Sequence, residues 1–520
     1  GCAENSSILD NGQSRQLEFS VMTHSWKNSN NSSNSKKDSR ATPITETTFD
    51  TSKSFNVIAD VNRGSDWSTE INNETASYSS INNIWQTSDT HYWPGTGSTV
   101  NIYAYYPISI SSNITHTTGS APVLSYTVPD NAADQIDILA SSKSSLAGDS
   151  YNQIPVDFKH ILAAVQFRVG SSGLPSGTIS SITISGIKNS GAYTFGSGWT
   201  LNSGTTTFKV SPSTVISGTS GENITTGVYT FLMIPQAFSN ATIILKYNAG
   251  TEYTQMISGT WTAGSTYIYN LSNPVTIGDY YYSDGTWGSY DANKTVIGII
   301  FSNMTSSTDK SHGWTHGYAM ALQNAGSGTA TYQWYTSDSS NPTGTSIVTA
   351  NQTMSDKDGY THSGYLHTSG CAAGIAARNY TAKDKSGNIV VTPIGSSGWY
   401  LPSIGQWYDI CINLGKMAMI SGKVYTNSGS GWLRWYSGDT NEDINNYSSL
   451  CASNLNIYLN ALKRNGYSTD LFDNNNKNYW SSSEYINSWA RYVGFHIEGN
   501  LGLNSDSGTS SFSVRSVVAF

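Results

Sequence analysis

Residues suited to binding chemistry crowd into positions 432–476. Trp432, Arg434, Trp435 and Tyr436 precede the acidic and amide-rich run Asp439-Thr440-Asn441-Glu442-Asp443-Ile444-Asn445, and Asp473, Asn474, Asn475 and Asn476 follow. Aromatic faces stack on the C–H patches of a sugar, and planar polar side chains meet its hydroxyls. Trp432, Arg434, Trp435, Asp439, Asn441, Asp443 and Asn474 are therefore the candidates for ligand binding. The alternating oxygens of 439–445 also resemble a calcium loop. The glycine of the sharp turn is missing, however, and Leu450 stands where a bidentate glutamate belongs. The run reads as a solvated loop, with calcium as the alternative, and no cofactor is expected.

Catalytic patterns are weaker. His312, His316, His362 and His367 are the densest histidines, but no His-Glu-x-x-His motif accompanies them. Cys371, Cys411 and Cys451 lack metal-site spacing, and at most one disulfide could join two of them. Cys411 and Cys451 fall on apolar helical faces, which favours core packing over a reactive pair. A non-enzyme is expected.

The front of the chain carries a different chemistry. Cys2 follows Gly1, as at a processed lipoprotein signal, so Cys2 is the expected lipidation site. The run Leu17-Glu18-Phe19-Ser20-Val21 alternates as a short strand, with Leu17, Phe19 and Val21 on one face. An Asn-, Ser- and Lys-rich stretch then leads to Arg40-Ala41, a trypsin-type cut site. Arg15, Lys36 and Lys37 compete with it; a cut at Arg40 removes the whole strand and leaves Ala41 first.

Composition limits the rest. The 520 residues suffice for about three domains. Charged residues make up only 12%, while 33 Tyr and 15 Trp accompany abundant Gly, Ser, Thr and Asn, a profile of extracellular β-rich proteins. A net charge of −8 argues against nucleic-acid partners. No run approaches the about 18 apolar residues of a spanning helix.

These residues need elements to position them. Between 41 and 155, alternation at Phe55, Val57, Ala59 and Val61, at Val100, Ile102 and Ala104, and through 123–128 and 136–140 predicts an antiparallel β-sandwich. A second sandwich is predicted over 156–277. Its first strand changes phase between Leu162 and Val165, which predicts a bulge or bend near Ala163-Ala164. Later strands are expected at 228–234, closed by Pro235, and at 182–184, 243–247 and 267–271. The block 278–520 differs. Helical spacing covers Ile404 to Leu414 and Leu450 to Leu462, with Ser403 and Ser448 or Ser449 as N-caps, and Gly415 and Gly466 as stops. A short helix over 372–379 and a closing strand over 512–520 complete an α+β domain. Trp399, Trp407 and Trp480 are read as core, and Trp432 and Trp435 are weighed evenly between core and ligand.

Three stretches carry a resemblance: Arg40-Ala41-Thr42-Pro43 before Thr48-Phe49-Asp50, Asp137-Ile138-Leu139-Ala140, and Phe158-Lys159-His160-Ile161-Leu162-Ala163. In this order they resemble Bacteroides-type fimbrillins, subunits of type V pili, over residues 1 to about 276. The resemblance implies a mainly β chain with two tandem transthyretin-like β-sandwiches and export as an outer-membrane lipoprotein. It also implies a trypsin-like processing protease acting after an arginine, and donor-strand exchange with other pilus subunits. From about 279, Asp284-Gly285-Thr286-Trp287, Gly398-Trp399-Tyr400-Leu401-Pro402-Ser403, Tyr479-Trp480-Ser481-Ser482-Ser483-Glu484 and Val514-Arg515-Ser516-Val517 resemble a C-type-lectin-like family related to sulfatase-modifying proteins. The calcium-lectin triplets Glu-Pro-Asn, Gln-Pro-Asp and Trp-Asn-Asp are absent from the sequence.

The division is thus a lead with a removable strand over 1–40, sandwiches over 41–155 and 156–277, and a C-type-lectin-like domain over 278–520. The expected role is a tip adhesin: a cell-surface pilus subunit that receives a donor strand from a shaft subunit, gives none, and binds a glycan or surface-protein ligand. The alternative is a stationary outer-membrane lipoprotein that captures polysaccharide.

Overall fold

A computed structural model describes residues 15–28, 47–335, 341–419, 424–427, 429–436 and 446–520. The chain is mainly β. It separates into two compact units, the first within 1–271 and the second over 272–520 with 172–176 and 217–219.

The first unit opens with a closed barrel. Its strands run in the order Phe19–Thr23, Ile154–His160, Leu139–Ala147, Thr99–Tyr106, Phe55–Arg63, Asp66–Ser79 and Ile84–Thr87. Alternation sends Phe55, Val57, Ala59 and Val61 into a core with Val100, Ile102, Trp85 and Phe158. The division at 155/156 therefore falls inside a strand of this barrel. A second sheet orders Phe231–Met233, Ala163–Val169, Ser265–Leu271 and Lys27–Asn28, and a third orders Thr205–Val210, Gly177–Lys188, Ala237–Tyr247 and Glu252–Thr260. A smaller sheet pairs Val123–Thr127 with Ser190–Thr194, so the two sequence blocks share strands.

Of the two expected causes of the phase change near Ala163, the structure has the bend, at Leu162. One strand ends at His160 in the barrel, and the next begins at Ala163 in the second sheet. Residues 161 and 162 carry the chain across, and the inward parity resets with the change of partner. The strand expected over 228–234 is shorter, Phe231–Met233, because Gly227–Tyr229 forms a 3-10 turn before it.

The second unit holds two five-stranded sheets. One orders Trp287–Gly288, Tyr280–Tyr282, Val296–Ser302, Tyr318–Ala321 and Val517–Ala519; the other orders Val424–Thr426, Leu433–Trp435, Leu501–Ser507, Trp489–Phe495 and Lys477–Ile486. The Ser403 N-cap forms a capping box with Gln406, and its helix Ile404–Asp409 runs into a π turn that ends before Gly415. The long helix Tyr447–Arg464 is capped by Asn446 rather than by Ser448 or Ser449, since Asn446 Oδ1 accepts from the Ser449 N–H at 2.9 Å. The helix Ala372–Asn379 forms as expected. The closing strand is split into Ser511–Phe512 and Val517–Ala519, because the buried Arg515 between them donates to Ala321 O at 3.0 Å and Asn324 Oδ1 at 2.9 Å. Among the described residues, no helix is long and apolar enough to cross a membrane.

Candidate strand groove and ligand face

The lead strand sits where its alternation predicts. Leu17 and Phe19 enter the barrel core, Val21 packs at its margin, and Met22 faces solvent. Phe19–Thr23 pairs in parallel with Ile154–His160 from Phe19↔Ile154 to Thr23↔Phe158, and meets the other flank only at Phe19↔Trp85. Backbone bonds extend the hold: Leu17 N–H to His91 O at 2.8 Å, Ile154 N–H to Glu18 O at 2.8 Å and His24 N–H to Phe158 O at 2.9 Å. The Phe19 ring meets Phe55 edge-on, with centroids 6.4 Å apart. Removing this strand would open the barrel along two ladders and uncover an apolar slot lined by Phe55, Trp85 and Phe158.

The lead continues past the barrel. Trp26 stacks on the His160 ring at 4.0 Å, and Lys27–Asn28 adds a short parallel edge beside Ser265–Leu271. His160 Nδ1 lies 2.9 Å from Asp137 Oδ1, and both groups are buried. Two of the stretches that carry the fimbrillin resemblance therefore meet beneath Trp26. Cys2, Arg40 and Ala41 lie outside the described residues.

The second candidate site divides. Trp435 is 1% exposed, packs in the core with Leu433 and Leu455, and donates through Nε1 to Ala418 O at 3.1 Å. It is a core residue and is withdrawn as a ligand contact. Positions 432 and 435 differ in parity, and a strand sends such positions to opposite faces. Trp432 and Arg434 share the outer face, where the guanidinium stacks on the indole at 4.5 Å. Asn474 lies outside the ladder, in the loop before Lys477–Ile486, whose strand is three places from Leu433–Trp435 in the sheet. Asp439, Asn441 and Asp443 lie outside the described residues.

Register brings other residues to Arg434. Arg434 pairs with Gly502, Gly502 with Gly494, and Gly494 with Asn478, in one row across the sheet. A Cβ at Gly494 would lie 2.8 Å from His496 Nε2, 2.9 Å from Asn478 Oδ1 and 3.0 Å from the Tyr492 ring, and one at Gly502 would collide with Asn504 Nδ2. The two glycines thus let planar side chains lie flat on the sheet. Arg434 Nε donates to Asn504 Oδ1 at 2.8 Å, and Asn478 Oδ1 is buried with no partner among the described residues. Burial lowers the His496 imidazole, with Glu498 opposing and Arg434 adding to the shift. Burial also raises the Tyr492 phenol, against a hydrogen bond from Asn504. Sequence reading missed Asn478, Tyr492, His496 and Asn504. The available signal was the pair of glycines at alternating positions of neighbouring strands.

Of the four histidines singled out in 312–367, His316 and His362 are buried, and His312 and His367 are exposed. Burial pushes His316 down to about 4. For His362, burial acts downward, but the Asp356 carboxylate, 3.0 Å from Nε2, raises it overall. Ser483 Oγ donates to the other oxygen of Asp356 at 2.6 Å, so serine and histidine share a carboxylate instead of forming a nucleophile–base pair. No group of metal-ligating side chains occurs among the described residues.

Residues 39–280 match the family model described as Fimbrillin-like. Among solved structures, a fimbrial protein from Bacteroides ovatus is 16% identical, covers 97% of this chain and 99% of its own, and gives a TM-score of 0.31. A fimbrial protein from Bacteroides vulgatus is 16% identical over 41% of this chain and 87% of its own, with a TM-score of 0.27. A fimbrial assembly protein from Parabacteroides distasonis is 12% identical over 49% of this chain and 90% of its own, with a TM-score of 0.26. Comparison with curated proteins gives no match.

Proposed function

We propose that this chain is a surface fimbrial subunit that acts as a tip adhesin. Its own lead strand holds the barrel closed until a trypsin-like protease cuts at Arg40, after which a donor strand from a shaft subunit takes the same place. The second unit, a C-type-lectin-like domain in this reading, presents the ligand face. The observation that carries this is the pairing of Phe19–Thr23, which is built into the barrel yet joined covalently to the following chain through the stretch that contains Arg40. The Fimbrillin-like match begins at residue 39, past that strand, which supports the same division. A supplied strand restores both ladder and core, the physics of β-augmentation.

The test is to cleave the full chain with a trypsin-like protease and add a peptide bearing the donor strand of a co-expressed shaft subunit. The expected result is loss of 1–40, a new N-terminus at Ala41, and a stable complex resistant to exchange. A cleaved chain that takes up no strand sinks the subunit reading. Surface material that keeps the lead favours a stationary lipoprotein instead.

A further inference from the structure

We infer that the face formed by Arg434, Asn504, Tyr492, His496 and Asn478 binds a carbohydrate bearing a carboxylate, with Arg434 taking the carboxylate and the neighbouring planar groups taking hydroxyls. The inference rests on the adhesin reading above and names the ligand class of its second unit.

Four features carry it. First, Arg434 is held but not spent. Its Nε is used by Asn504 and its face by Trp432, while no described residue bonds its terminal nitrogens. A guanidinium fixed in this way offers a planar fork that fits a carboxylate. Second, the row Arg434–Gly502–Gly494–Asn478 puts its ends on one face, and Asn504, Tyr492 and His496 lie over the two glycines between them as a floor of planar groups. Third, Asn478 Oδ1 is an acceptor without a partner beside His496 Nε2, over the same glycine. Buried polar atoms are normally satisfied, so this one suits a donor brought by a ligand hydroxyl. Fourth, Glu498 acts on His496 and Asp506 on Tyr492. The face is therefore no general anion sink; it favours one carboxylate at Arg434 with hydroxyls elsewhere.

The experiment titrates the full chain with trigalacturonate, its methyl ester, 3′-sialyllactose, lactose and a short peptide ending in a free carboxylate, following tryptophan fluorescence and heat. At least one acidic sugar is expected to bind, and its neutral counterpart to bind about tenfold more weakly, as loss of one charge-assisted bond implies. Arg434→Ala is expected to weaken binding of the acidic sugar about tenfold or more, down to that of its neutral counterpart, and Arg434→Lys and Asn478→Ala to weaken it a few-fold. Urea midpoints of the variants, measured alongside, confirm that each still folds. Equal binding of acid and neutral sugar, unchanged binding by Arg434→Ala, equal binding of the peptide, or no binding of either acidic sugar would each overturn the inference. Strand uptake by the cleaved chain without sugar binding leaves the subunit reading standing and removes only this one.

Discussion

Phe19–Thr23 and Val517–Ala519 are both short strands with apolar residues, yet they are held by different means. The first lies between two strands but pairs fully with only one, in parallel, and its anchors are Leu17 and Phe19 in the core. Parallel pairing is the slightly weaker ladder per residue. The second pairs antiparallel with Tyr318–Ala321, bridges Tyr400 on its other flank, and is pinned by polar contacts. Ser397 Oγ accepts from the Ala519 N–H at 2.9 Å, and the His316 N–H donates to Phe520 O at 2.8 Å. Just before it, Arg515 is fully buried against Phe472 and bonds to backbone from two other segments. An apolar strand in a slot can be replaced by another of the same parity. A strand fastened by side chains from several loops cannot be exchanged without stranding their partners.

That contrast can be broken in order of effect. Arg515→Ala leaves Asn324 and two carbonyls without their donor, and is expected to destabilise the second unit by about 4 kcal/mol. Urea unfolding followed by probes in each unit should show only the second transition moving; a joint shift would erase the contrast. Phe19→Ala is expected to lower the first unit by about 3 kcal/mol in the uncut chain, with no effect once the lead is cleaved and a donor strand supplied. If the cost persists after exchange, the lead strand is a permanent part of the barrel. Trp26→Ala removes the stack on His160 and should cost about 1 kcal/mol, again only in the uncut chain. This sharpens how far the lead's hold extends beyond its strand.

The smallest effect is a pH slope in the second unit. His362 is raised above its ordinary 6.5, so its contribution is fully present below that value and is lost as pH rises through the folded value. His316, lowered to about 4, acts oppositely but only between about 4 and 6.5. Above pH 6.5 the melting temperature of the second unit should therefore fall gently, and His362→Gln should flatten that slope. An unchanged slope in the variant would locate the titration elsewhere.

Local signals were legible where they depend on neighbours in sequence. The lead strand and the Ser403 N-cap could be read from spacing, and the burial of Trp399, Trp407 and Trp480 from the motifs of the resemblance that contain them. The helix Gly359–Thr368 could not. Its buried positions 359, 362, 363 and 366 have helical spacing, but Gly, His and Ser fill three of them, so no apolar stripe appears. The candidate face was half legible: Trp432 and Arg434 were visible, whereas Trp435 stayed undecided between core and ligand because its segment was not treated as a strand.

The sequence by itself determined which residues alternate, where the lead strand lies, and that Arg40 follows it, because parity and cut-site chemistry are local properties. Tertiary structure alone decided that the chain leaves the barrel at His160 for another sheet, and that Arg434 shares a row with Gly502, Gly494 and Asn478. Such rows depend on the register of strands far apart in the chain, and a shift of one residue in any of them would turn the same side chains to the opposite face.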